Sequence, residues 1–110
     1  MFKQSIIVPV WLGMSPGKVA SQCCHVALRY GRFEDKRVIL KVDTHIQLVD
    51  ILAEAIGWQD PQYPHAPKLE VGHFRDADPT TEGTDGEITA WSIRGPEETV
   101  NQVTGKLELY

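Results

Sequence analysis

The chain has 110 residues, 42% of them apolar and 24% charged, which suits a single globular domain over residues 1–110 and excludes a largely disordered chain. No apolar run approaches the roughly 18 residues that a membrane helix needs. Fifteen acidic against eleven basic side chains give a net charge of −4, so a chain-wide basic footprint for nucleic acid is excluded and any such partner needs a local positive patch. Met1-Phe2-Lys3-Gln4 leads into a strand-like run with no signal-peptide cleavage pattern, and the expected location is cytoplasmic. The adjacent Cys23 and Cys24, outside any CxxC pair, read as reduced, core-filling residues.

In chain order, Ser5-Ile6-Ile7-Val8 is a continuous apolar run, as a strand covered on both faces requires, and Pro9 weakens regular pairing at its end. Ser15-Pro16 begins a helix with a hydroxyl cap and a proline at the first helical position; the helix is predicted to run to about Tyr30 and to end at Gly31. Its expected core stripe is Ala20, Cys23, Cys24, Ala27 and Leu28, with Lys18, Gln22, His25 and Arg29 on the polar side. Residues 37–42 read as a second strand. Thr44 and Gln47 match a capping box for a second helix, with Val49, Leu52, Ala53 and Ile56 inward and Gly57 at its end. Residues 58–68 hold three prolines and read as a long loop. Strands are predicted at 69–74 and 87–94, and a short helix from Pro96 to Gly105. This order predicts an α/β domain: a mixed, mainly parallel four-stranded sheet with helices on both faces, joined by right-handed crossovers.

Two places could carry chemistry. The first turn of the leading helix presents free backbone N–H groups around Gly17, and Lys18 there opposes the helix dipole unless an anion offsets it; a solvated lysine is the alternative. His25 on the polar stripe reads equally as hydrogen-bonded structure. The second place is residues 75–87, at the end of a strand, where open α/β sheets bind ligands. Asp76, Asp78, Thr80 and Glu87 fall at calcium-loop spacing, but Thr81 stands where glycine is required and the flanks read as strands, which disfavours calcium. A solvated acidic loop is the alternative. His45, His65 and His73 lack metal-ligand spacing.

Gly17-Lys18-Val19-Ala20-Ser21-Gln22-Cys23-Cys24-His25-Val26-Ala27-Leu28 resembles the G-K-x-A-A-Q-C-x-H-A-A-x signature of type 2 peptidyl-tRNA hydrolases. Residues 38–43, Asp76-Ala77 with Thr80, Gly95-Pro96 and residues 103–107 are similar to further stretches of that family, in the same order. The resemblance implies a mixed four-stranded sheet flanked by helices, often a homodimer, that hydrolyses the ester joining a peptide to the 3′ end of tRNA without metal or cofactor; no membrane partner is expected, from the lack of a long apolar run. It places the essential lysine on Lys18, the aspartate on Asp76 and the loop threonine on Thr80. A later threonine falls on Thr89 if the loop is one or two residues longer. Gly17, Gln22 and His25 occupy motif positions that would meet substrate. Ester cleavage needs an activated water and a stabilised oxyanion, which a carboxylate and an ammonium can supply.

Asp78 and Pro79 depart from the family's loop, and Ser15-Pro16 replaces a basic residue ahead of the Gly-Lys pair. Residues 76–87 carry five acids and no base, which would repel a phosphate backbone. A positive patch could come instead from Lys18, Arg29, Arg32, Lys36 and Arg37. Beside the esterase reading stand a non-catalytic member of the same fold that binds protein or small anions, and a related hydrolase with another ester or amide substrate.

Overall fold

The computed structural model describes residues 1–58, 69–76 and 86–110. β1 (Phe2–Pro9) sends Ile6 and Val8 into one core and Ile7 into the other, so its apolar run is covered on both sides. It ends at Pro9. A single 3-10 turn (Val10–Leu12) follows and is closed by Gly13 at φ 61°, a left-handed conformation that favours glycine.

α1 (Pro16–Tyr30) has the predicted bounds because its signals are local. The Ser15 hydroxyl accepts the Lys18 N–H at 3.2 Å, Pro16 opens the helix, and the Gly31 N–H donates to the Ala27 carbonyl at 3.0 Å. The expected core stripe is corrected. Val19, Gln22, Cys23 and Val26 are buried, whereas Ala20, Cys24 and Leu28 face solvent and Ala27 is half-buried. Gln22, read as part of the wet face, is inside because it has a buried partner, and that rotates the apparent stripe.

β2 (Lys36–Val42) leads to α2 (His45–Gly57). The Thr44 hydroxyl accepts the Gln47 N–H at 3.1 Å, and the Gln47 side chain accepts the Asp43 N–H at 2.8 Å, one residue earlier than in a standard capping box. Here too the inward face is corrected: Leu48, Ile51 and Ala55 are buried with Leu52 half-buried, while Val49, Ala53 and Ile56 are exposed. α2 is apolar on most of its circumference, so periodicity does not fix its phase.

β3 (Glu70–Arg75), β4 (Ile88–Pro96), α3 (Glu97–Thr104) and a short β5 (Glu108–Leu109) complete the domain. Among the described residues the sheet has five strands in the order β3-β4-β1-β2-β5, not four, and it is mostly antiparallel. Among the described residues β1 and β2 pair in parallel, and β1–β4, β3–β4 and β2–β5 are antiparallel. β1, β2 and β3 do run in one direction, as crossovers between them require. β4, however, inserts between β1 and β3 with opposite direction, and so turns both of its ladders antiparallel. Helices cover both faces as expected: α1 packs on β1, β3 and β4, and α2 and α3 pack on the other side. Among the described residues no helix is long and apolar enough to cross a membrane.

Candidate active site

The carboxyl ends of β1, β2 and β3 and the N-termini of α1 and α2 lie at one end of the sheet, where α/β sheets seat ligands. There the Lys18 ammonium meets the Asp76 carboxylate at 2.8 Å. The two side chains are 8% and 3% exposed. Lys18 comes from the first turn of α1, fixed by the Ser15 cap. Asp76 follows β3 directly and is held by main chain: its N–H donates to the Glu87 carbonyl at 2.9 Å, and its own carbonyl accepts the Gly86 N–H at 2.5 Å. Gly86 at φ 80° supplies the left-handed turn that brings the chain back into β4.

One helical turn deeper, Gln22 meets Thr89. The Thr89 hydroxyl donates to the Gln22 Oε1 at 2.5 Å and lies 3.4 Å from the Phe74 carbonyl oxygen. Both side chains are buried. Strand alternation alone would send Thr89 to the opposite face, since Trp91 and Ile93 contribute to the core under α2 and α3. A bulge changes this. The register passes from Phe74↔Ala90 to Arg75↔Ile88, which leaves Thr89 as the extra residue and turns it beneath α1.

His25 is exposed and stacks flat on Phe74, with ring centroids 4.5 Å apart and planes 2° apart. Gly17 is exposed at the helix front, with open space where a side chain would extend. Lys18, Gln22, Asp76 and Thr89 thus gather beneath the front half of α1, with His25 on its rim. Thr80, Asp78, Pro79 and residues 59–68 lie outside the described residues. Cys23 is buried, its thiol pushed up to about 11 by burial and secondarily by Cys24, which disfavours Cys23 as a nucleophile. Cys24 is exposed, a correction to its expected core role.

Phe74, Trp11 and Trp91 carry no site signal in the sequence. Phe74 is the platform for His25. On the other face of the sheet, Trp11 and His45 stack at 4.0 Å beside Arg75, Glu87 and Trp91, around a cleft of about 230 Å³. Arg75 and Glu87 are the ends of the candidate segment 75–87, each at a strand end near Asp76.

A Thermococcus sibiricus protein named peptidyl-tRNA hydrolase is 33% identical over 126 aligned positions, covering 98% of this chain and 97% of that protein. A Dictyostelium discoideum protein named probable peptidyl-tRNA hydrolase 2 is 27% identical over 124 positions, covering 98% of this chain and 54% of that protein; the chain therefore spans about half of its length. No protein-family model matches the chain.

Proposed function

Since the chain belongs to the peptidyl-tRNA hydrolase family, we propose that it cleaves the ester joining a peptide to the 3′ end of tRNA in the manner of the type 2 class, with Lys18, Asp76 and Thr89 as its working groups. The observation that carries this reading is the buried contact of 2.8 Å between Lys18 and Asp76 at the front of α1.

In this scheme Asp76 orients a water and takes its proton as the water oxygen bonds to the ester carbonyl carbon. The carbonyl oxygen becomes an oxyanion, held by the Lys18 ammonium in a site with little competing water. Collapse breaks the bond to the ribose oxygen, which leaves with the proton from Asp76. The products are a peptide acid and free tRNA. The Thr89 hydroxyl and Gln22 fix the floor of the site, and Thr80 is proposed as a further positioning group from the loop. The non-catalytic alternative takes its motive from Asp78 and Pro79, but the retained ammonium–carboxylate pair supports hydrolysis.

The test is release of labelled peptide from peptidyl-tRNA, with and without EDTA, by wild type and Asp76→Asn. Release that persists in EDTA and vanishes in the variant is expected. A well-folded wild type that releases nothing overturns the reading.

A further inference from the structure

We infer that the far end of α1 and the turn into β2 form a landing patch for the phosphate backbone of the tRNA, with Arg29 and Arg32 as the phosphate-binding cations and Phe33 as a stacking platform for a base. The inference rests on the proposed function and names where that substrate is held away from the ester.

Charge is the first argument. Residues 29–37 contain four of the eleven basic side chains but two of the fifteen acidic ones. Of the two acids, Asp35 is fully buried against Arg94 and shows no charge to a ligand, and only Glu34 is exposed; of the four bases, Lys36 is paired with Glu97 at 2.7 Å, which leaves Arg29, Arg32 and Arg37 to face a ligand. By contrast, the sequence of residues 76–87 holds five acids and no base, of which Asp76 is paired with Lys18. A polyanion approaching this acidic chain is therefore attracted at the end of α1.

The shape of the patch fits the same ligand. A hollow of about 230 Å³ lies among Ala27, Leu28, Gly31, Arg32, Phe33 and Arg37. Arg37 is fixed as part of its wall, donating from Nε to Gln4 Oε1 at 2.6 Å and from Nη2 to the Arg32 carbonyl at 2.8 Å. The Arg32 guanidinium makes no ion pair among the described residues, and Arg29 is exposed over the Tyr30 ring. Phe33 is 101% exposed. A bare aromatic ring in a hollow lined by the Arg32 and Arg37 guanidinium groups suits a nucleobase, which stacks on the ring while its phosphates meet the cations.

Geometry links the patch to the reacting ester. Both sites lie on the α1 face of the sheet, at opposite ends of one helix. Arg29 is eleven residues beyond Lys18, about 16 Å along the axis at ~1.5 Å per residue. A stacked strand rises ~3.4 Å per nucleotide, so the patch meets phosphates roughly five nucleotides back from the ester.

The experiment measures binding of uncharged tRNA to the full chain by fluorescence anisotropy across a salt series, together with hydrolysis of peptidyl-tRNA and of a peptidyl-adenosine ester too short to reach the patch. Arg29→Gln/Arg32→Gln is expected to raise Kd and the KM for peptidyl-tRNA about tenfold and to lower the salt slope by roughly one to two. Turnover of the short ester stays unchanged. Phe33→Ala weakens tRNA binding with the salt slope intact. Absence of tRNA binding by wild type overturns the inference, as do an unchanged affinity and slope in the double variant or an equal loss on the short ester. Wild type that binds tRNA through these residues yet cleaves neither ester refutes the proposed hydrolysis and leaves the patch standing.

Discussion

Two buried ion pairs sit on the same face of the sheet, under opposite ends of α1, and they are built differently. At the front, the Lys18 ammonium meets the Asp76 carboxylate at 2.8 Å, beside an exposed glycine and the helix N-terminus. At the back, Arg94 grips Asp35 with two bonds, from Nε at 2.7 Å and from Nη2 at 3.0 Å. Asp35 also accepts the Arg32 N–H at 2.8 Å, and Arg94 lies over the Phe2 ring and near Glu70. A forked guanidinium specifies a shape, whereas an ammonium is a compact point charge that can turn toward a developing charge. Under the proposed function, the same chemical types serve reaction at one end and architecture at the other.

The largest expected effect breaks the front pair. Lys18→Ala and Asp76→Asn should each lower turnover by about 10²- to 10⁴-fold, measured as kcat at a temperature where near-UV circular dichroism shows a native fold. Each single variant also loses stability, because it leaves a buried charge behind. Lys18→Met/Asp76→Leu, which removes both charges, should regain stability over the single variants and remain inactive. Activity in any of these variants would undo the assignment of the front pair.

The next effect falls on the back pair. Arg94→Met leaves the Asp35 carboxylate buried without its guanidinium and should cost about 3–5 kcal/mol in urea unfolding. Residual folded protein should retain the wild-type KM and kcat for a short ester. A selective loss of kcat would erase the contrast between the two ends.

How far these pairs could be read from sequence follows the same divide. The bounds of α1 were legible because Ser15, Pro16 and Gly31 act on their own neighbours. Lys18 and Asp76 stood out because each marks the end of an element, and the family resemblance joined them. Gln22 was misjudged because a buried glutamine looks like a surface one until Thr89 is known to face it. That facing depends on a bulge, which no periodicity announces. Arg94 and Asp35 are 59 residues apart on elements with no motif between them. The position of β4 between β1 and β3 was hidden for the same reason: alternation tells which residues face a core, not which strand lies alongside.

A middle-sized effect tests the floor of the site. Thr89→Val removes the hydroxyl that Gln22 accepts and leaves a buried carbonyl oxygen without its donor, at about 1–3 kcal/mol in stability. Turnover should fall less than in Lys18→Ala, because Thr89 acts on the position of Gln22 and the site floor. Thr89→Ser, which keeps the hydroxyl, should recover most of both. Failure of serine to rescue would assign the effect to packing alone.

The smallest effect separates the architectural pair by pH. The Arg94 guanidinium, hydrogen-bonded to Asp35, lowers the Asp35 carboxyl below its ordinary value of 3.8, against the opposing pull of burial. A depressed folded value means that the unfolded chain binds the proton first. The stabilisation is then fully present above 3.8 and is lost as pH falls through the lower folded value. Asp35→Asn resembles the protonated side chain at every pH. Urea midpoints of wild type and Asp35→Asn should therefore stay apart by a constant amount at neutral pH and draw together only below 3.8. Convergence already above that value would mean that Arg94 does not hold Asp35 ionised, and the bidentate pair would lose its place as the fixed end of α1.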